Sequence, residues 1–330
     1  MKRTIAIVAG GDSSEHDVSL RSAQGIYSFI DKDRYDCYII EISGLKWEAV
    51  LDDGSRTVVD RNDFSFETAA GRIVPDFAYI TIHGTPGENG ILQGYFDLIK
   101  MPYSTSGVLV EALTFNKFTL NNYLRSWGIK VAESIMIRNG QEARFTDDEI
   151  IDRLGLPCFV KPNDDGSSFG VSKVKTKEEL RPALEIAFQE SDEVMIESFL
   201  AGTEVTCGCY KTKSASHVFP ITEVVTSQEF FDYDAKYNGK VEEITPARIA
   251  PQTAERISQL TSAIYDILGC KGIIRIDYIL SGEKGNETIN MLEVNTTPGM
   301  TATSFIPQQI RAAGMQPGDV IADIVEDAFK

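Results

Sequence analysis

No apolar run among the 330 residues approaches the roughly eighteen needed to cross a bilayer, which excludes a membrane-spanning role. The apolar segment at residues 4–9 is cut by Gly10-Gly11-Asp12, too early for the core of a secretory signal, and reads as a buried strand. Cysteine is sparse. Cys37, Cys158, Cys207, Cys209 and Cys270 form an odd, scattered set in apolar contexts, without the spacing of a zinc site or a disulfide framework. Reduced cytosolic thiols are expected, with Cys207 and Cys209 as buried strand positions. Lysine and arginine total 32 against 49 acidic residues, a formal charge of -17, which excludes general nucleic-acid binding. A small anionic ligand would then need a local set of lysines beside glycines. Internal repeats and low-complexity tracts are absent.

A hydrophobic content of 42% and a charged content of 25% are those of a chain that folds throughout. The length exceeds the size at which one core keeps growing, so two or three packed lobes are expected. The opening is α/β: a strand at 4–9, then helical spacing of apolar residues over 18–30. Strands follow at 36–42 and 76–82, which puts His83 at a strand's C-terminal edge, where open α/β sheets bind ligands. Pro102-Tyr103-Ser104-Thr105-Ser106-Gly107 marks a boundary, and one helix is expected over 110–127. Next come a strand at 157–162, a loop at 163–170, a return strand at 171–174, a helix at 175–190 and a strand at 193–197. Beyond Leu200, strands are expected at 204–210, 217–225, 272–280 and 288–294, with a polar stretch at 226–239 and a helix at 253–268. The expected lobes are 1–107, an N-terminal open α/β sheet, 108–199 and 200–330.

Two places carry chemistry. The loop Gly166-Ser167-Ser168-Phe169-Gly170 lies between two strands after Lys161, and such loops can offer backbone N–H groups to phosphate. It is neither a Walker A loop nor a dinucleotide fingerprint, and an ordinary hairpin turn fits it equally well. In the strand at 272–280, Arg275 and Asp277 project from one face while Ile274, Ile276 and Tyr278 fill the other. Glu293 and Asn295 repeat this on a neighbouring strand. Two carboxylates and an amide oxygen on one sheet face are hard ligands suited to Mg²⁺ bridging phosphates. A solvated face with cross-strand ion pairs is the alternative, disfavoured by the apolar character of both strands. Gly299, in Thr297-Pro298-Gly299, either offers an N–H to developing negative charge or simply makes a type II turn.

Six segments occurring in order, GGDSSEHDVSL (10–20), HGTPGENGILQGYFD (83–97), VKPNDDGSSFGVSKV (160–174), DYDAKY (232–237), GCKGIIRIDYIL (269–280) and LEVNTTPGMTATS (292–304), resemble the D-alanine-D-alanine ligase family over nearly the whole chain. The resemblance implies a three-lobed ATP-grasp fold, with ATP clamped between the central and C-terminal lobes and two Mg²⁺ or Mn²⁺ ions. It also implies a cytoplasmic enzyme that joins two D-alanine molecules for peptidoglycan, and a homodimer formed through the N-terminal lobe.

By the same resemblance Glu15 binds the ammonium of the first D-alanine, with His83 beside it. Lys117, Lys161, Gly166, Ser167 and Ser168 hold the phosphates, joined by Lys236 from a mobile loop. Glu197, Ser198, Phe199 and Leu200 form the hinge that receives adenine, and Glu204 takes the ribose. Ser167 and Tyr237 connect with Glu15 to shut the site. Asp277, Glu293 and Asn295 are the metal ligands, Arg275 and the Gly299 N–H form the oxyanion site, and Ser304 receives the second carboxylate.

The chain departs from the family pattern at Asn116, where an aspartate is common, and at Phe305, where a smaller residue is expected at the second-substrate pocket. The segment after Tyr237 is also short. Tyr237 speaks against D-lactate as the second substrate, whereas D-serine stays open. A nucleotide-binding regulatory module without catalysis is the reading from another class. Without the family pattern, Glu15 reads as a helix cap and His83 as a turn residue.

Overall fold

The computed structural model describes residues 2–164, 169–226 and 241–330. Three sheets organise them. The first contains β1 (Arg3–Gly10), β2 (Tyr35–Ser43), β3 (Lys46–Val50), β4 (Arg56–Asp60), β5 (Ser65–Thr68), β6 (Gly71–Ile73) and β7 (Phe77–Ile80) in the order β6-β5-β4-β3-β2-β1-β7. β1 runs parallel to both β2 and β7. Its residues alternate between two cores, as a doubly covered strand must. Ile5, Ile7 and Ala9 enter one, and Ala6 and Val8 the other. α1 (His16–Phe29) makes the crossover from β1 to β2, and α2 (Ile91–Ile99) follows β7. The short strands β3 to β6 extend the sheet where no strand was expected from sequence.

The predicted single helix at 110–127 is two helices, α3 (Val108–Phe115) and α4 (Lys117–Ser126), broken at Asn116. Asn116 has extended backbone angles and caps α4, its side-chain oxygen accepting from the Thr119 N–H at 3.0 Å. Its amide nitrogen also donates to Glu193 at 3.4 Å. An ionised aspartate could accept the first bond but not donate the second, which gives a physical reason for asparagine here.

The second sheet holds β8 (Ser134–Arg138), β9 (Cys158–Pro162), β10 (Ser172–Val174) and β11 (Glu193–Ser198) in the antiparallel order β10-β9-β11-β8. α5 (Asp147–Leu154) and α6 (Lys177–Ala187) seal one face through Ile150, Leu180 and Leu184. Glu193 ties this unit together. Its carboxylate receives Arg138 at 2.8 Å and Asn163 at 2.9 Å. The Arg138 bond is the main reason its pKa lies below the usual carboxylate value, against burial, which acts the other way. A carboxyl whose folded pKa is depressed stabilises above its unfolded pKa and loses that contribution as pH falls through the folded value. Glu193→Gln should therefore cost about 1 kcal/mol at pH 7 and less at pH 3. Urea midpoints at the two pH values check this, and a difference independent of pH would contradict it.

The third sheet holds β12 (Thr203–Lys211), β13 (Ser216–Val218), β14 (Thr222–Thr226), β15 (Val241–Ile244), β16 (Ile273–Ser281) and β17 (Thr288–Asn295). Its order is β15-β14-β12-β16-β17, with β13 also on β12. The strand expected at 217–225 is divided into β13 and β14 around Pro220, which has no N–H for the ladder. α7 (Pro251–Leu268) packs on one face, where Ile274, Ile276 and Tyr278 of β16 join Cys207 and Cys209 in a buried core. All five cysteines are free and buried. Tyr210, Phe219 and Ile273 share a second core with the first sheet, reinforced by α8 (Phe305–Ala312) and α9 (Pro317–Asp327). Among the described residues no helix is long and apolar enough to cross a membrane.

Candidate active site

β16 and β17 pair so that Arg275 stands opposite Asn295 and Asp277 opposite Glu293. Period-two alternation alone would put Glu293 on the same face as Met291, which is buried in the α7 core. The register shifts beside Asp277, with Tyr278 opposite Met291, so Leu292 is an extra residue in the ladder. That bulge turns Glu293 and Asn295 to the face of Arg275 and Asp277. All four side chains then line a cleft of about 1220 Å³.

Arg275 grips Asp277 with two bonds, Nε to Oδ1 at 2.9 Å and Nη2 to Oδ2 at 2.8 Å, and reaches Glu293 at 3.8 Å. The pair is 12% and 10% exposed. Burial disfavours the guanidinium's charge, but Asp277 and Glu293 outweigh it and raise the pKa above its ordinary value. A fixed positive charge thus stands beside the oxygens, in the cleft rather than on an outer face. The Phe305 ring lies 5.4 Å from the guanidinium carbon. Ser304 is the N-cap of α8, but its hydroxyl faces the preceding turn, 2.8 Å from Thr301 Oγ1 and accepting from the Thr301 N–H at 3.1 Å. A Cβ on Gly299 would come within 3.0 Å of that hydroxyl. The turn is seated on α1 through Gly25, where a Cβ would meet the Met300 carbonyl at 2.3 Å.

The second sheet supplies the opposite wall. Lys161 and Glu197 form a nearly buried ion pair at 2.6 Å, on adjacent strands β9 and β11. Ser198, Phe199 and Leu200 lead from β11 toward β12 along the cleft, and Glu204 lines it from β12. Phe159 and Phe199 sit with ring centroids 6.0 Å apart, and Lys173 Nζ lies 4.1 Å from the Phe199 ring. With Ile279 and Leu292 they give this end an apolar lining that suits a flat heterocycle. Lys117, the first residue of α4, also lines the cleft, and its N–H donates to the Asn163 carbonyl at 3.0 Å.

At the edge of the first sheet stand Glu15 and His83. Glu15 occupies the N-cap position of α1, but its side chain makes no capping bond among the described residues and lines the cleft. His83 is buried, and its Nε2 has no hydrogen-bond partner among the described residues. An orphaned buried nitrogen beside a cleft is a group waiting for a ligand. Glu88, which sequence reasoning did not single out, accepts the Gly84 N–H at 2.7 Å. Burial raises its pKa, with Glu15 adding and His83 opposing. The only sequence signal for it was its place in the segment after His83.

Sixteen of the residues singled out from sequence thus line one cleft, from Glu15 to Phe305. Gly166, Ser167, Ser168, Lys236 and Tyr237 lie outside the described residues. Among the described residues no three His, Cys, Asp or Glu side chains gather as a metal set. The expected set has two carboxylates and one amide, and these stand on facing strand positions with oxygen donors only, which fits a hard divalent cation.

Comparison with known proteins agrees with this geometry. The family model for the D-ala D-ala ligase N-terminus matches residues 4–106, and that for the C-terminus matches residues 123–326. A curated relative from Phocaeicola vulgatus, D-alanine-D-alanine ligase, is 68% identical over 330 residues, covering all of both chains. Among solved structures, the VanG D-Ala:D-Ser ligase from Enterococcus faecalis aligns with a TM-score of 0.87 at 30% identity, over 99% of this chain and 100% of that one. The D-alanine-D-alanine ligase from Bacillus anthracis complexed with ATP aligns at 0.78 with 27% identity, over 99% of this chain and 97% of that one.

Proposed function

This chain belongs to the D-alanine-D-alanine ligase family, and we propose that it joins two D-alanine molecules for peptidoglycan synthesis, using ATP through an acyl phosphate. The fold is the three-lobed ATP-grasp fold, and the lobes are taken as 1–107, 108–199 and 200–330. The observation that carries the reading is the facing pair Arg275–Asp277 and Glu293–Asn295, in the same cleft as Glu15 and His83.

A carboxylate is a poor electrophile. One oxygen of the first D-alanine attacks the terminal phosphorus of ATP and ADP leaves. The second amine then attacks the activated carbon, and inorganic phosphate departs with that oxygen. Glu15 binds the first ammonium, with His83 beside it. Asp277, Glu293 and Asn295 would hold two Mg²⁺ or Mn²⁺ ions, whose chemistry when bound is to neutralise phosphate charge. Lys117 and Lys161 serve the phosphates, the latter by leaving Glu197 for ATP. The hinge Glu197 to Leu200 receives adenine, and Glu204 the ribose. Arg275 and the Gly299 N–H hold the tetrahedral oxyanion, while Ser304 takes the second carboxylate next to Phe305. Gly166, Ser167 and Ser168, with Lys236 and Tyr237, complete phosphate binding and closure.

A cytoplasmic homodimer belongs to the same reading, and the exposed Ile91 and Leu98 of α2 give the first lobe an apolar surface for it. D-serine and D-lactate are the less favoured acceptors, since relatives at 59–68% identity are named for D-alanine. Phosphate release from ATP should require D-alanine, and with D-serine or D-lactate beside limiting D-alanine, mass analysis should find mainly D-alanyl-D-alanine. Turnover without D-alanine, or a mixed product in the majority, would contradict it. His83→Leu should raise the KM of the first D-alanine about tenfold by removing a hydrogen bond near a charged substrate, with KM for ATP unchanged. Equal changes in both constants would place His83 elsewhere in the mechanism.

A further inference from the structure

Glu111 is fully buried, and the reaction just described gives it no task. It lies in the first turn of α3. Burying a carboxyl group is costly unless it is well partnered. The Thr296 hydroxyl donates to its Oε2, and Thr296 directly follows Asn295. The Ser106 N–H and the Thr105 hydroxyl face the same carboxyl, yet Oε1 has no hydrogen-bond partner among the described residues. Burial raises its pKa well above the carboxylate range, with Glu88 adding and those donors opposing.

The contacts continue on both sides. Thr105 Oγ1 accepts from the Gln93 amide at 3.0 Å, and the same amide donates to the Gly87 carbonyl at 2.6 Å, inside the loop that carries His83 and Glu88. Gly87 itself sits so close to this loop's origin that a Cβ would meet the Ile82 carbonyl at 2.2 Å. On the other side the Thr297 N–H donates to the Asn295 side-chain oxygen at 3.1 Å, and the Thr297 hydroxyl donates to the Ile82 carbonyl at 3.4 Å, at the start of the same loop, and faces Glu88. Gln93, Thr105, Glu111, Thr296 and Thr297 are each no more than 3% exposed. A run of neighbouring buried polar groups therefore lies in the interior between the amino-acid end of the cleft and the end of β17. Such a run is rigid because each lost bond strands a buried group.

We propose that Glu111 is a positioning residue: through Thr296 it fixes the end of β17 that carries Asn295 against the loop that carries His83 and Glu88. It thereby sets the distance between the nucleotide's metal ligands and the first amino acid. The inference rests on the ligase reading and adds to it a residue that touches neither substrate. A glutamine can keep the bond from the Thr296 hydroxyl, its oxygen where Oε2 stands and its amide nitrogen where Oε1 stands. Alanine cannot.

The test compares Glu111→Gln, Glu111→Ala, Thr296→Ser and Thr296→Val in the full-length enzyme. The readouts are kcat, the KM for D-alanine, and Mn²⁺ binding in the presence of ADP followed by electron paramagnetic resonance. Gln and Ser should stay within about threefold of the parent in every constant. Ala and Val should lose about tenfold in kcat and bind Mn²⁺ about tenfold more weakly, with KM for D-alanine within about threefold. Thr296→Val removes one hydroxyl at constant volume, so it reports even if Glu111→Ala does not fold. Native kcat and Mn²⁺ binding in Thr296→Val would overturn the proposal, as would Gln and Ser variants that fall as far as Ala and Val. A parent enzyme that releases no phosphate with D-alanine would instead overturn the ligase reading, and the Mn²⁺ titration would still judge Glu111.

Discussion

Replacing Arg275 with methionine should lower dipeptide formation about 10³-fold, and replacing it with lysine about 10²-fold, while nucleotide still binds. The guanidinium is held by two bonds to Asp277 and buried in the cleft wall, so its charge is already in place when negative charge grows on the oxygen of the attacked carbonyl. Lysine keeps the charge but not the planar fork that matches a carboxylate. Removing the cation also strands Asp277, which costs about 3 kcal/mol of stability. Adding Asp277→Asn to Arg275→Met should recover most of that stability and none of the activity. Chemical denaturation and steady-state assays on the single and double variants separate the two effects. Activity that returned together with stability would reduce Arg275 to a structural counter-ion.

Asp277→Asn alone should raise the Mg²⁺ concentration needed for half-maximal rate about tenfold or more and lower kcat about 10²-fold. Loss of the carboxylate removes one of two charged oxygen donors and releases the guanidinium from its bidentate partner, so both metal dependence and oxyanion geometry suffer. Mg²⁺ titrations at saturating ATP and D-alanine check it. A metal dependence equal to that of the parent would mean that Glu293 and Asn295 suffice, and that Asp277 serves only to aim Arg275.

The β16 half of this arrangement could be read from sequence because strand alternation is local: Ile274, Ile276 and Tyr278 fill one face and leave Arg275 and Asp277 on the other. The β17 half reached the right face for a reason alternation does not contain. Met291 and Glu293 share a parity, and only the extra residue Leu292 separates them, a register shift set by the pairing with β16. Glu88 and Glu111 escaped notice because a carboxylate in a polar loop or in the first turn of a helix ordinarily faces water. Only the tertiary packing of three sheets buries Glu111 and half-buries Glu88 at the cleft. The strands β3 to β6 were missed for the opposite reason, since their exposed alternate residues and short lengths give little apolar periodicity. The helix break at Asn116 carried a cap signal that was outweighed by apolar residues on both sides.

Transfer of oxygen from substrate to phosphate tests the acyl phosphate most directly. With both carboxyl oxygens of D-alanine replaced by ¹⁸O, ATP and Mg²⁺, every inorganic phosphate released should carry one ¹⁸O, and the new peptide carbonyl should keep the other. Phosphate without the label would mean that the carboxylate never bonded to phosphorus, and the roles assigned to Arg275, Asp277, Glu293 and Asn295 would have to be withdrawn.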